Sequence, residues 1–109
     1  MAIYTIKHYE FTLIENNDYL IIRCLDTEKF KLYINTFDDK KTHDEFSLTI
    51  KNFNYLCTKC LENASNNNDI IKYCEDLDYV NIIINYKFVF KFNFNIKLYY
   101  IYQKQLQLT

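Results

Sequence analysis

The chain has 109 residues, of which half are hydrophobic and 18% aromatic, and its formal charge is −1. This composition describes one domain, 1–109, with a single core, and it excludes a disordered segment. There is no basic excess and only one arginine, Arg23, which argues against nucleic acid as a partner, and no apolar run approaches the ~20 residues of a membrane span.

In chain order, Ile3 to Glu15 reads as a strand, with Tyr9, Phe11 and Leu13 on one face and a phase slip near His8. Asn16-Asn17-Asp18 is the clearest turn, because short polar side chains bond to their own backbone. Tyr19 to Leu25 is apolar on both faces, as a central strand would be. Asp26 to Lys29 turns the chain, and Phe30 to Phe37 alternates, with Phe30, Leu32 and Ile34 set against Lys31, Tyr33 and Asn35. Asp38 to Asp44 is charged and loop-like.

The period then changes. Phe46, Ile50, Phe53, Cys57, Cys60, Leu61 and Ala64 recur at spacings of three and four, which predicts a helix over 49–63, with Ser47 or Thr49 as its N-cap. Asn63 to Asn68 is polar and loop-like, Ile70 to Cys74 is a short strand, and Glu75 to Asp78 turns the chain.

From Val80 to Tyr102, twelve successive even-numbered residues are apolar or aromatic, a period-two β pattern. A straight strand of that length would reach roughly 75 Å at ~3.3 Å per residue, far beyond a domain with a radius of gyration near ~13 Å. The strand must therefore fold back. A two-residue hairpin would switch the apolar parity, so an odd-length loop, a bulge or a strong bend is required, best placed at Lys91-Phe92-Asn93. The expected fold is α+β: an antiparallel β-sheet of about six strands, in order βββ-α-βββ, packed on one α-helix. The even-numbered C-terminal face covers that helix.

Glycine and proline are both absent. The phosphate-binding loop, the dinucleotide-binding turn and the nucleophile elbow all need glycine, so the enzymes built on them are excluded. Asn, Ile, Lys, Tyr and Phe make up more than half of the chain, the mark of an A/T-rich genome.

Cys57-Thr58-Lys59-Cys60 has metal-ligand or redox spacing, and Cys24 and Cys74 are candidates to complete a site. Both Cys57 and Cys60 fall on the apolar helix face, where cysteine packs as a small hydrophobe, so core packing is preferred to a zinc or dithiol role. His8, His43 and the acids Asp38, Asp39, Asp44, Glu45, Glu75, Asp76 and Asp78 read as solvated or structural. No cofactor and no catalytic residue is expected.

Twenty aromatic rings exceed what a one-helix domain buries easily. Large groups on both faces at Tyr99, Tyr100, Ile101 and Tyr102, and again at Tyr79 and Ile83, suggest docking through exposed aromatics and the edge of the last strand.

The run from Tyr9 to Ile22, with Asn81-Ile82-Ile83-Ile84-Asn85-Tyr86-Lys87-Phe88 and Phe94-Asn95-Ile96-Lys97-Leu98, resembles small uncharacterised β-rich head-domain proteins of mimivirus-type giant DNA viruses. The resemblance implies a viral structural or assembly protein, non-enzymatic, that self-associates or docks a viral or host protein. A host-factor antagonist is an alternative within the same class. Met1-Ala2-Ile3-Tyr4 has no leader profile, so the expected setting is the host cytoplasm or the virion, with free thiols and no secretion.

Overall fold

The computed structural model describes residues 2–64, 71–74, 79–87 and 91–101. Within them the chain forms strands β1 (Ala2–Ile6), β2 (Tyr9–Glu15), β3 (Tyr19–Asp26) and β4 (Lys31–Asp38), helices α1 (Asp39–Phe46) and α2 (Ile50–Ala64), and strands β5 (Ile71–Cys74), β6 (Tyr79–Lys87) and β7 (Lys91–Ile101). The strands make one antiparallel sheet in the order β1-β2-β3-β4-β7-β6-β5. The α+β class holds. The N-terminal meander has one strand more than expected, and there is a second, short helix.

The extra strand arises where the apolar phase slips. Ile6 pairs with Tyr9, so Lys7 and His8 are a two-residue hairpin loop rather than the middle of a strand. Lys7 adopts φ 56°, a left-handed angle that a glycine would normally supply in such a loop. The next turn follows the sequence. Asn16 Oδ1 accepts from the N–H groups of Asp18 (2.9 Å) and Tyr19 (3.3 Å).

The inward face is a continuous row across the sheet. Tyr4 pairs with Phe11, Phe11 with Cys24, Cys24 with Tyr33 and Tyr33 with Tyr100. On β4 the inward residues are Tyr33 and Phe37, both buried, whereas Leu32 and Ile34 lie on the opposite face. The expectation that Phe30, Leu32 and Ile34 face inward is thereby corrected. The four-residue loop Thr27–Phe30 resets the phase, because Asp26 pairs with Lys31.

In the C-terminal hairpin Lys87 faces Lys91 and Ile82 faces Ile96, so even residues oppose even residues throughout. The odd-length connection, 88–90, preserves the parity, and Lys91, Phe92 and Asn93 lie in β7 rather than at a bend. Val80, Ile82, Ile96 and Leu98 are buried against the helix side, as the alternation requires. Phe88 and Phe90 lie outside the described residues.

Helix α2 buries Phe53, Leu56, Cys57, Cys60, Leu61 and Ala64 on one face. Thr49 caps it, its hydroxyl accepting from Asn52 N–H at 3.2 Å. Helix α1, expected as loop, is short and polar, with Thr42 as its one buried residue. It is held by its ends. Asp38 Oδ1 accepts from Lys41 N–H at 2.8 Å, and Ser47 closes it at φ 58° with its N–H on His43 O. Asp39 Oδ1 then accepts from Ile50 N–H at 2.9 Å and ties α1 to the start of α2. The aromatic rings of Phe37, Phe46 and Phe53 cluster beneath both helices, with centroids 4.8–6.2 Å apart.

Candidate interaction surface

The thiols were the first chemical candidates, and packing accounts for those described. Cys24 lies on the buried face of β3, and Cys57 and Cys60 lie on the buried face of α2, all as free thiols. Burial pushes the Cys57 thiol far up, with Cys60 adding to the effect, and burial with help from Asp26 does the same for Cys24. Thiolate, the form that binds metal or attacks a disulfide, is therefore suppressed at both. Cys60 Sγ instead points at Ile83 O, 3.7 Å away. The side chain of Cys74 lies outside the described residues. Among the described residues no group of three or more potential ligands is gathered in metal-binding proximity.

Three of the acids serve as a helix cap, a tie between helices and a surface ion-pair partner. Asp38 caps α1, Asp39 holds Ile50 N–H, and Asp44 pairs with Lys40 at 2.8 Å. Glu75, Asp76 and Asp78 lie outside the described residues. His43 is exposed, 3.9 Å from Asp39. His8 stands between Asp26 (3.7 Å) and Glu28 (3.8 Å), where the β1–β2 turn meets the β3–β4 loop.

An open groove of about 610 Å³ runs between the β2–β3 turn, β4 and α1, past Tyr19, Thr36, Asp38, Lys41 and Asp44. Four of its charged side chains, Asp38, Lys40, Lys41 and Asp44, are already engaged. Lys41 Nζ donates to Asn35 Oδ1 (2.8 Å) and Thr36 O (3.2 Å) and sits 4.5 Å from the Phe37 ring. Such a wide polar trough offers little desolvation to a reacting group.

The interface candidates divide. Tyr99 is 53% exposed on the outer face of the sheet, away from the helices. Tyr100 points the other way, packing on Tyr33 at 5.7 Å and lying under Lys31 Nζ at 4.8 Å. Tyr79, Ile83 and Ile101 are half-buried, and Lys97 Nζ covers the Tyr79 ring at 5.0 Å. Tyr102 lies outside the described residues. The last strand is not an edge at these tyrosines. Tyr99 to Ile101 pair with β4 on one side, and Tyr99 pairs with Tyr79 on the other. Tyr99 to Ile101 therefore present no free edge, because of a pairing that joins residues more than sixty apart in sequence, which no local pattern announces.

Among the described residues, the most exposed large apolar group is one that the sequence reading did not single out. Phe30, at the end of the β3–β4 loop, has 83% of its surface open and a left-handed φ of 54°. The loop behind it is braced. Asp26 Oδ1 accepts from the N–H groups of Glu28 and Lys29, both at 3.0 Å, and Thr27 is bonded to His8 O. The turn signal Asp26-Thr27-Glu28-Lys29 was visible; extending it by one residue would have found Phe30.

Among the described residues no helix is long and apolar enough to cross a membrane. No protein-family model and no curated protein sequence matches the chain. A solved structure does: the head domain of human CCDC61, with a TM-score of 0.64 and 13% identity, over 92% of this chain and 98% of that one. At that identity the likeness is one of fold: this chain adopts the architecture of the CCDC61 head domain across nearly its whole length.

Proposed function

We propose that this chain is a non-catalytic protein-interaction module, a structural or assembly component of a large DNA virus with an A/T-rich genome, which docks a partner protein through projecting aromatic groups. Phe30 carries the reading. A non-glycine residue in the left-handed region costs the isolated domain stability, on the order of 1–2 kcal/mol, and a phenyl ring left in water recovers none of it by burial. Both features fall on one residue, and its loop is fixed by hydrogen bonds to Asp26 and His8. A rigid, solvent-facing ring is a preorganised anchor of the kind that dominates binding energy at interfaces. Tyr99 on the outer face is a second anchor. The glycine-free, Asn- and Lys-rich composition supports the viral origin, and the likeness to a domain described as a head supports an interaction role.

The test is capture of partner proteins from infected-cell lysate, with wild type and Phe30→Gly compared, alongside co-fractionation with purified particles. Phe30→Gly should fold at least as well as wild type and lose the captured partner. Undiminished capture, or a measurable turnover dependent on Cys57 and Cys60, would overturn the reading.

A further inference from the structure

Among the described residues the outer edge of β1 is unpaired and presents an unguarded β template, and its hydrogen-bonding phase can be read from the turn beside it. A two-residue hairpin loop is closed by a hydrogen-bonded pair, here Ile6 and Tyr9. Hydrogen-bonded and non-hydrogen-bonded pairs alternate along an antiparallel ladder. Tyr4 and Phe11 therefore exchange hydrogen bonds, whereas the N–H and C=O groups of Ile3 and Thr5 point away from β2, to the open side. Natural edges are commonly blunted by a lysine, a proline or a bulge. Ala2 to Ile6 contains no charge and no proline, and its register with β2 is unbroken. The sheet's other outer strand, β5, carries Lys72. Ile3 is 58% exposed.

We propose that two copies of this chain pair antiparallel through their β1 edges, in the register that sets Tyr4 opposite its counterpart and Ile3 opposite Thr5. This is the register in which the outward groups of Ile3 meet those of Thr5, giving four inter-chain hydrogen bonds around a two-fold axis beside Tyr4. A second copy fits better than a charged peptide because the strand itself is uncharged and its outward groups, at Ile3 and Thr5 on either side of Tyr4, are complementary to themselves in an antiparallel register. On α2, Lys59 and Glu62 form an ion pair at 3.5 Å, and both act electrostatically on Tyr4. Their opposite charges offset each other beside Tyr4, so α2 presents no net charge there to oppose a second copy. The inference rests on the reading of the chain as an interaction module but uses a different surface, so Phe30 remains free for a partner.

Sedimentation equilibrium and oxidative cross-linking test it. Wild type should show twice the 13.4 kDa chain mass at high concentration. Thr5→Pro removes an N–H that β2 does not use, so it should fold normally and sediment as a monomer, as should Ile3→Lys, whose side chain lies in solvent. In the proposed pair the two Tyr4 Cα atoms lie ~4.5–5.5 Å apart, within disulfide range, so Tyr4→Cys should form a covalent dimer under mild oxidant while Thr5→Cys and wild type do not. A monomeric wild type, a dimer untouched by Ile3→Lys, or a Tyr4→Cys variant that stays uncrosslinked would overturn the proposal. Phe30→Gly should leave the dimer intact, so loss of partner capture and loss of pairing are read separately.

Discussion

The carbonyl oxygen of His8 accepts two hydrogen bonds from Thr27, one from its N–H at 2.9 Å and one from its hydroxyl at 2.8 Å. The turn between β1 and β2 is thereby fastened to the loop between β3 and β4, nineteen residues on. Replacing Thr27 by Val keeps the shape and the N–H bond but deletes the hydroxyl donor. The expected loss is about 1 kcal/mol in a urea titration. Asp26→Ala, which strips the N–H groups of Glu28 and Lys29 of their acceptor, should cost more, about 2–3 kcal/mol.

A chain without glycine fills its left-handed positions with side chains that oppose them. Lys7, Phe30 and Ser47 have φ of 56°, 54° and 58°. Substituting glycine at each should stabilise the fold by about 0.5–1 kcal/mol, after the larger unfolded-state entropy of glycine is deducted. The melting temperatures of the three single variants check this, and a fall in any of them contradicts the strain assignment.

Phe53 touches both Phe37 and Phe46, with its ring stacked on Phe46 at 5.2 Å, and is fully buried. Phe53→Ala should cost about 3–5 kcal/mol, the upper range of core truncations. Tyr55→Ala, two residues along the same helix and 48% exposed, should change stability by less than about 1 kcal/mol. Similar denaturation midpoints for the two would contradict the facing of α2.

The buried thiols set an alkaline limit. Burial chiefly holds the Cys24 and Cys57 thiols well above the ordinary thiol range in the folded state. A group that stays protonated when folded but ionises when unfolded contributes stability below its unfolded pKa and loses it as pH rises beyond. Unfolding free energy should therefore fall above pH ~9, by up to about 1.4 kcal/mol per pH unit for each thiol. Cys57→Ala should be less stable at pH 7 yet show a shallower decline between pH 9 and 10.5.

What the sequence made legible was whatever a local period encodes. Tyr9, Phe11 and Leu13, Val80 and Ile82 of β6, Ile96 and Leu98 of β7, and the face of α2 from Phe53 to Ala64 all point where their spacing says. Parity even survived the C-terminal reversal, because Tyr86 opposes Phe92 across an odd connection. The hairpin at Lys7-His8 was hidden because neither residue is a turn former. Helix α1 was hidden because it buries Thr42 alone and is held by Asp38 and Ser47 at its ends. The interior position of β7 depends on Tyr33 meeting Tyr100, a partnership no window of sequence contains.

That partnership is also narrow. Strands β1 to β4 and strands β5 to β7 meet over three residue pairs, Leu32–Ile101, Tyr33–Tyr100 and Ile34–Tyr99, with the Asn35 amide reaching across to Lys97 O beyond them. Closing that seam constrains a loop of more than sixty residues, so it belongs to the last steps of folding, after each hairpin stack has formed from near neighbours. By the same logic it is where the sheet first parts, and the amides along it should exchange with solvent sooner than those between β2 and β3.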